Sequence, residues 1–342
     1  MEDPLLDFAD VLIRPSQSHL ESRNDVNLVR EFEFHHGEYM MENIPIIAAN
    51  MDTVGTMDVF KALHKHKVMT FFHKFITNEE YIKNKKLLEE NPDYFAITIG
   101  MGGKELDRLK ELSKKLTFKG ICIDIANGYL DKFVNFCIEV REAFPEHVIF
   151  AGNVVCAEMT RRLILEAGVD VVKIGIGGGS ACTTRIKTGV GIPQFSAVQD
   201  CAKAAHEFGA HIISDGGITC PGDVSKAFGA GADFVMIGGQ FAGHDQNPGD
   251  VIEEDGQKYK LFYGMSSEHA MKKNYNGVNN YRTSEGRCLR IKYRGDINGT
   301  VSDFLGGVRS TCTYIGCENL EEMSEMTNFV RVGKQFNNSL VS

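Results

Sequence analysis

Nine cysteines lie along the chain, and Cys182 sits in surroundings unlike most of the others. It closes the run Gly175-Ile176-Gly177-Gly178-Gly179-Ser180-Ala181-Cys182, and Thr183, Thr184 and Arg185 follow directly. Four glycines in five residues rule out regular structure and expose backbone amides and carbonyls. A free thiol is mostly protonated near neutrality, and a nearby cation or oriented amides raise its thiolate fraction. Cys182 is therefore a candidate nucleophile. Cys122, Cys137 and Cys201 lie in apolar or helical stretches, where packing is the expected role. The carbonyls of the glycine loop could also ligate a monovalent cation.

Two glycine pairs, Gly216-Gly217 and Gly238-Gly239, each follow a short apolar run. Either pair alone reads as a tight turn. Two pairs at the ends of successive strands instead suggest backbone amides approaching a phosphate. Asp215, just before the first pair, could accept from ligand hydroxyls such as a ribose diol, or could cap the next helix. In Arg282-Thr283-Ser284-Glu285-Gly286, Glu285 could be a general acid or base, but a Glu beside Arg in a loop is usually a solvated ion pair, and the residues alone favour that reading. Tyr263-Gly264-Met265-Ser266-Ser267-Glu268 reads as a turn into a helix whose serines cap it, or equally as a frame for the mouth of the site.

These residues need a frame. Short β-branched apolar runs recur at Ile44–Ala48, Val68–Phe72, Phe95–Ile99, Gly120–Ile125, Val148–Ala151, Val169–Ile174, His211–Ser214 and Phe234–Ile237. Amphipathic stretches separate them at 57–66, 78–90, 105–116, 130–144, 158–167, 196–208 and 222–228. Near-continuous apolar strands imply burial on both faces, as in a parallel sheet covered by helices. Eight such units predict a closed (β/α)8 TIM barrel rather than an open doubly wound sheet, and no strand-to-helix turn reads Gly-x-Gly-x-x-Gly. In such a barrel the loops after the strands build the site, and phosphate is often bound after strands seven and eight. The loops after strands six (Gly175 to Phe195) and eight (Gly238 to Tyr281) are elaborated. The latter holds a hairpin signal at Asp255-Gly256. We read residues 1–342 as a single barrel domain with an N-terminal arm and a C-terminal extension.

The 37 Lys and Arg against 46 Asp and Glu give a net charge of −9, which argues against a nucleic-acid binder working through bulk positive charge. The cysteines show neither Cys-x-x-Cys nor paired-His spacing, so neither a disulfide framework nor a zinc site is expected. No apolar signal core opens the chain and no stretch is long enough to span a bilayer. A cytoplasmic protein without membrane contact is expected.

From Leu6 to Val332 the chain resembles the IMP dehydrogenase/GMP reductase family, and within it the reductase branch. The matching stretches are the cysteine loop GIGGGSACTTR, Ala48–Gly55, Asp124–Tyr129, Ala151–Val155, Ser214–Gly217, Ala227–Asp233, Phe262–Ser267 and Arg309–Tyr314. The resemblance implies conversion of GMP and NADPH to IMP, ammonia and NADP, with a covalent intermediate on Cys182 and a proton relay through Thr184 and Glu285. It implies a GMP site of Asp215, Gly216, Gly217, Gly238, Gly239, Gly264, Met265, Ser266, Arg282, Ser284 and Gly286. For the cofactor it implies Ser22, Arg23, Lys74, Asp124, Ile125, Ala126, Ile176 and Gly177, with Ser310, Thr311, Cys312 and Thr313 coming from a neighbouring subunit of a homo-oligomer, expected to be a tetramer. A potassium ion (K+) would take the carbonyls of Gly177, Gly179, Cys182 and Arg185. One departure is Gly178, where the family usually has proline. Compared with the dehydrogenase branch, the short 72–95 connection leaves no room for its regulatory CBS modules, and 265–285 is short for its flap. A purine-nucleotide sensor without activity would not need Cys182, Thr184 and Glu285 together, and a flavin-dependent barrel oxidoreductase is a weaker alternative.

Overall fold

The eight apolar runs become eight parallel strands joined into a ring. The structure, a computed structural model, describes residues 4–265, 267 and 285–333. A short strand β1 (Val11–Ile13) and an edge strand β2 (Arg30–Phe32) come first. The barrel strands are β3 (Met41–Ala48), β4 (Val68–Phe72), β5 (Phe95–Ile99), β6 (Gly120–Asp124), β7 (Val148–Val154), β8 (Val171–Ile174), β9 (His211–Asp215) and β10 (Phe234–Ile237). Each pairs in parallel with the next, and β10 pairs with β3, from Val235 opposite Ile46 to Ile237 opposite Ala48. That last pairing closes the barrel and excludes the open sheet.

Helices α1 (Met57–Leu63), α2 (Asn78–Lys83), α3 (Lys85–Glu89), α4 (Gly103–Ser113), α5 (Asp131–Ala143) and α6 (Ala157–Ala167) lie between the strands. They are followed by α7 (Thr184–Thr188), α8 (Gln194–His206) and α9 (Pro221–Gly229). The sequence predicts one helix over 78–90, but the structure breaks it at Asn84, whose side-chain amide donates to the Glu80 carbonyl (2.9 Å) and whose backbone leaves the helical region. An Asn side chain that competes for backbone partners in this way disfavours helix interiors.

Successive side chains of a strand point to opposite faces, and the two hydrophobic clusters divide accordingly. Ile47, Met69, Phe71, Ala96, Cys122, Val148, Phe150, Val171, Ile213, Phe234 and Met236 fill the barrel interior. Their neighbours Ile46, Phe72, Ile97, Ile121, Ile149, Val172, Ile212 and Val235 face the helices. Fully burying each large apolar side chain stabilises the fold by about 1.5–3 kcal/mol.

After β10 comes the hairpin β11 (Ile252–Glu254) and β12 (Gln257–Tyr263), turning at Asp255-Gly256, both with positive φ, as the sequence predicts. The structure adds β13 (Cys288–Lys292) as a third antiparallel strand, a long helix α10 (Ile297–Ile315), α11 (Met323–Met326) and β14 (Phe329–Arg331), which pairs with β1.

The N-terminal end of the barrel is sealed. Phe32 stacks on Phe234 with ring centroids 4.3 Å apart, and Phe150 meets Phe234 edge-on. Asp170, fully buried, accepts from the backbone N–H groups of His36 and Gly37 (2.9 Å each) and pairs with Arg141. Asp233 pairs with His206 (2.9 Å), His211 (3.1 Å) and Arg30 (3.7 Å). Burial alone would push the Asp233 carboxyl up. His211 and His206 outweigh it and hold the carboxyl well below the usual range. Donating to Asp233 raises His206; for His211 the same carboxylate overcomes burial and raises it as well.

The depressed Asp233 contributes stability above its unfolded value near 4, lost as pH falls through its folded value. The raised histidines contribute stability below about 6.5, lost as pH rises through their folded values. The cluster should therefore stabilise most between about pH 4 and 6.5. Asp233→Asn should cost about 1.5–3 kcal/mol, because it removes the buried charge that accepts from His206 and His211 and pairs with Arg30. Chemical denaturation across this pH range should show that loss, together with a flatter decline of stability above pH 6.5 than in the parent protein.

Candidate active site

At the C-terminal ends of the strands the inward-facing layer changes character. Two residues beyond Cys122 stands Asp124, beyond Val171 stands Lys173, and beyond Ile213 stands Asp215. The Lys173 side chain is 1% exposed, and its Nζ lies 3.3 Å from both Asp124 Oδ2 and Asp215 Oδ2. Burial opposes its charge, but Asp124 and Asp215 favour it more strongly, and its pKa is raised. Asn50 donates to Asp124, while Asn153 donates to Asp215 Oδ2 (2.8 Å) and to the Gly175 carbonyl (2.8 Å).

Above this layer lies the cysteine loop. Cys182 is partly exposed, and its thiol donates to Thr184 Oγ1 (3.2 Å). The Thr184 hydroxyl in turn donates to Glu285 Oε2 (2.7 Å). The segment around Glu285 is laced to the loop by backbone bonds: Thr183 N–H to the Glu285 carbonyl (2.8 Å) and Arg287 N–H to the Ala181 carbonyl (3.0 Å). Gly286 forms a bridge with Cys182, and Arg287 Nη2 donates to the Ser180 carbonyl (2.9 Å). A thiol, a hydroxyl and a carboxylate in an unbroken chain can pass a proton between the sulfur and the carboxylate.

The other loops converge on the same rim. Gly217 N–H donates to the Gly178 carbonyl (3.0 Å), so Gly216 and Gly217 lie against the cysteine loop. Gly238 and Gly239 begin a tight turn, and a Cβ on Gly239 would come 2.6 Å from Ser180 Oγ. Gly264 N–H donates to the Arg287 carbonyl (3.3 Å), and Met265 Sδ accepts from Asp52 N–H (3.3 Å). Ser266, Arg282 and Ser284 lie outside the described residues. The glycine at 175 is required by shape: its φ is +154°, and a Cβ there would stand 1.9 Å from the Asp215 carbonyl oxygen.

The residues expected to meet the cofactor fall in two groups. Asp124, Ile125, Ala126, Ile176 and Gly177 lie at the barrel mouth, Ile125 N–H donating to the Gly152 carbonyl (3.0 Å). Lys74 lies beside a cleft of about 350 Å³ shared with Thr77, Asn78 and Arg108. The second group sits on the outer helices, where the turn Arg23–Asp25, capped by Ser22, packs against α10. That helix carries Ser310 to Thr313. Its Thr311 hydroxyl donates to Ser225 Oγ (2.8 Å) beside a cleft of about 270 Å³. Cys312 has its side chain buried, and its hydrogen bond with Cys317, then burial, push its thiol up.

Two of the four carbonyls expected to hold potassium already accept one backbone hydrogen bond each. That of Gly179 accepts from Cys182 N–H (2.9 Å) and that of Arg185 from Gly189 N–H (3.0 Å). Among the described residues no cluster of three or more His, Cys, Asp or Glu is placed to hold a metal ion.

Cys122 and Cys201 are buried, and burial pushes each thiol up to about 12; Cys137 is raised in the same way. Sequence reasoning gave no role to Lys173, Asn50, Asn153 or Arg287. For Lys173 a signal existed, since it is the one charged residue in the strand Val171–Ile174.

The sequence model of the IMP dehydrogenase / GMP reductase domain matches residues 5–338. The chain is 52% identical over 343 residues to a GMP reductase of Caenorhabditis elegans, covering 99% of this chain and 95% of that one. It is 52% identical over 339 residues to GMP reductase 2 of Homo sapiens, with 98% and 96% covered. With a GMP reductase of Onchocerca volvulus it shares 53% over 339 residues, with 98% and 93% covered.

Two glycines of the loop should respond oppositely to alanine. Gly175→Ala, which drives a methyl into the Asp215 carbonyl, should lose about 1–3 kcal/mol. At Gly178 a Cβ meets nothing nearer than 3.5 Å. Gly178→Ala should be neutral or stabilise by about 0.4–1 kcal/mol. Urea denaturation of both variants checks the contrast.

Proposed function

This chain belongs to the IMP dehydrogenase/GMP reductase family, and on that premise we propose that it converts GMP to IMP and ammonia at the expense of NADPH, acting as an oxidoreductase of purine nucleotide interconversion. The observation that carries the reading is the unbroken chain from the Cys182 thiol through the Thr184 hydroxyl to the Glu285 carboxylate.

The proton of Cys182 has a path to Glu285 by way of Thr184, which leaves the sulfur free to attack C2 of the guanine ring. An exocyclic amine is a poor leaving group until protonated. The same path run backwards delivers a proton to that nitrogen, ammonia departs, and a thioimidate links the sulfur to C2. The nicotinamide, when bound, supplies a hydride to C2. The C–S bond then breaks, Cys182 regains its electron pair as thiolate, and IMP is released. Splitting one difficult displacement into two easier steps is the benefit of the covalent route.

Asp215 at the barrel mouth fits the ribose diol, and Gly216, Gly217, Gly238 and Gly239 fit the phosphate. Gly264, Met265 and Gly286 lie on the same rim, and the assignment extends to Ser266, Arg282 and Ser284. Asp124 to Ala126, Ile176, Gly177 and Lys74 would hold the nicotinamide half. Ser22 and Arg23 would grip the cofactor as well, and Ser310 to Thr313, out on the helical layer, suit a role in which one copy completes the cofactor site of another. A homotetramer meets that need. NADPH rather than NADH rests on the family resemblance, and potassium enters no step. Residues 1–342 act as one catalytic unit, because α2 and α3 alone occupy much of the connection between β4 and β5. Cytoplasmic residence completes the reading; no helix among the described residues is long and apolar enough to cross a membrane.

Purified protein mixed with GMP and NADPH should consume NADPH, while consumption of IMP with reduction of NAD alone would overturn the assignment. Cys182→Ala should abolish turnover yet keep GMP binding within a few-fold by calorimetry, because the phosphate and ribose contacts lie elsewhere. Glu285→Gln should slow ammonia release by about 10²–10⁴-fold and hydride transfer much less. Equal losses in the two half-reactions would remove the relay.

A further inference from the structure

The charged layer at the barrel mouth contains a residue that the mechanism above does not use. Lys173 projects inward from β8, with a 1% exposed side chain. A lone ammonium in that position would be strongly unfavourable, so its presence depends on its partners. They come from four strands or strand ends: Asp215 on β9, Asp124 on β6, Asn50 just after β3 with Oδ1 3.5 Å away, and Asn153 on β7, which acts through Asp215.

The reach from β8 to β6 requires a gap on the strand between them. Asp124 is in register with Gly152, and Gly152 with Lys173. A Cβ on Gly152 would come 2.7 Å from Lys173 Cβ and 2.5 Å from its carbonyl oxygen. The missing side chain at 152 lets β8 approach closely and lets the ammonium meet a carboxylate two strands away.

We propose that Lys173 is a positioning residue that joins Asp215, on the nucleotide side, and Asp124, on the cofactor side, into one unit, so that the placement of GMP and of the nicotinamide is set together. The inference rests on the assignment of those two aspartates made above. Neither carboxylate can turn toward a ligand without changing its distance to the shared ammonium. Removing that ammonium leaves two carboxylates converging on one buried space without a counter-charge, and both swing apart.

The test uses the full chain and steady-state kinetics with GMP and NADPH varied separately. If the parent protein fails to turn over this pair, the functional assignment fails, independently of Lys173. Given parental turnover, Lys173→Met should raise KM for GMP and KM for NADPH at least tenfold each. A purely structural loss would instead lower the active fraction, and so kcat, with both KM values unchanged; that result overturns the proposal. Should Lys173→Met not fold, Asp124→Asn, Asp215→Asn and the double variant take its place. Asp124→Asn is expected to raise KM for GMP as well as for NADPH, and the double variant to be impaired by clearly less than the product of the single effects. A cofactor-only effect of Asp124→Asn, or effects that multiply independently, sinks the coupling.

Discussion

The hydrogen bond from the Thr184 hydroxyl to the Glu285 carboxylate joins two loops that stand 101 residues apart in sequence. Around it run the backbone bonds that lace 285–287 onto 181–183, and without them a glycine-rich loop would have no reason to hold one shape. Such a loop loses much conformational entropy on ordering, so its geometry has to be enforced from outside. The enforcement comes from the segment after the hairpin and from the Gly217 contact with Gly178. Order around Cys182 is therefore a tertiary property, supplied by neighbours and not by the loop itself.

Beneath the loop, the barrel imposes a second constraint. Alternation along each strand commits every other residue to the interior. At the floor and middle those positions hold Phe, Met, Ile and Val. In the last layer they hold Asp124, Lys173 and Asp215. The polarity of the mouth thus continues the same periodic pattern with different side chains, and the apolar layer below it limits how far water can follow.

The strands were legible because burial on both faces writes a near-continuous apolar run; Val68–Phe72, Phe95–Ile99 and Phe234–Ile237 coincide with their strands. Cys182 was legible from its polar, glycine-rich context, and Asp255-Gly256 from its turn chemistry. Glu285 was not, because a carboxylate next to an arginine looks the same whether it faces solvent or a threonine from a distant loop. It took the family resemblance to single it out. Lys173 did leave a signal, one charge in an apolar run, but such a signal carries no indication of its partners. The break at Asn84 and the strands β13 and β14 also escaped, since one depends on a side chain competing with its own backbone and the others are short pieces whose partners lie far along the chain.

The plugged floor has a consequence for traffic. With Phe32, Phe234 and the Asp170 and Asp233 clusters closing the far end, no passage among the described residues runs down the barrel axis. Every molecule that reaches the sulfur must arrive over the rim, and every product must depart the same way. Substrate, cofactor and products therefore share the rim formed by the strand-end loops.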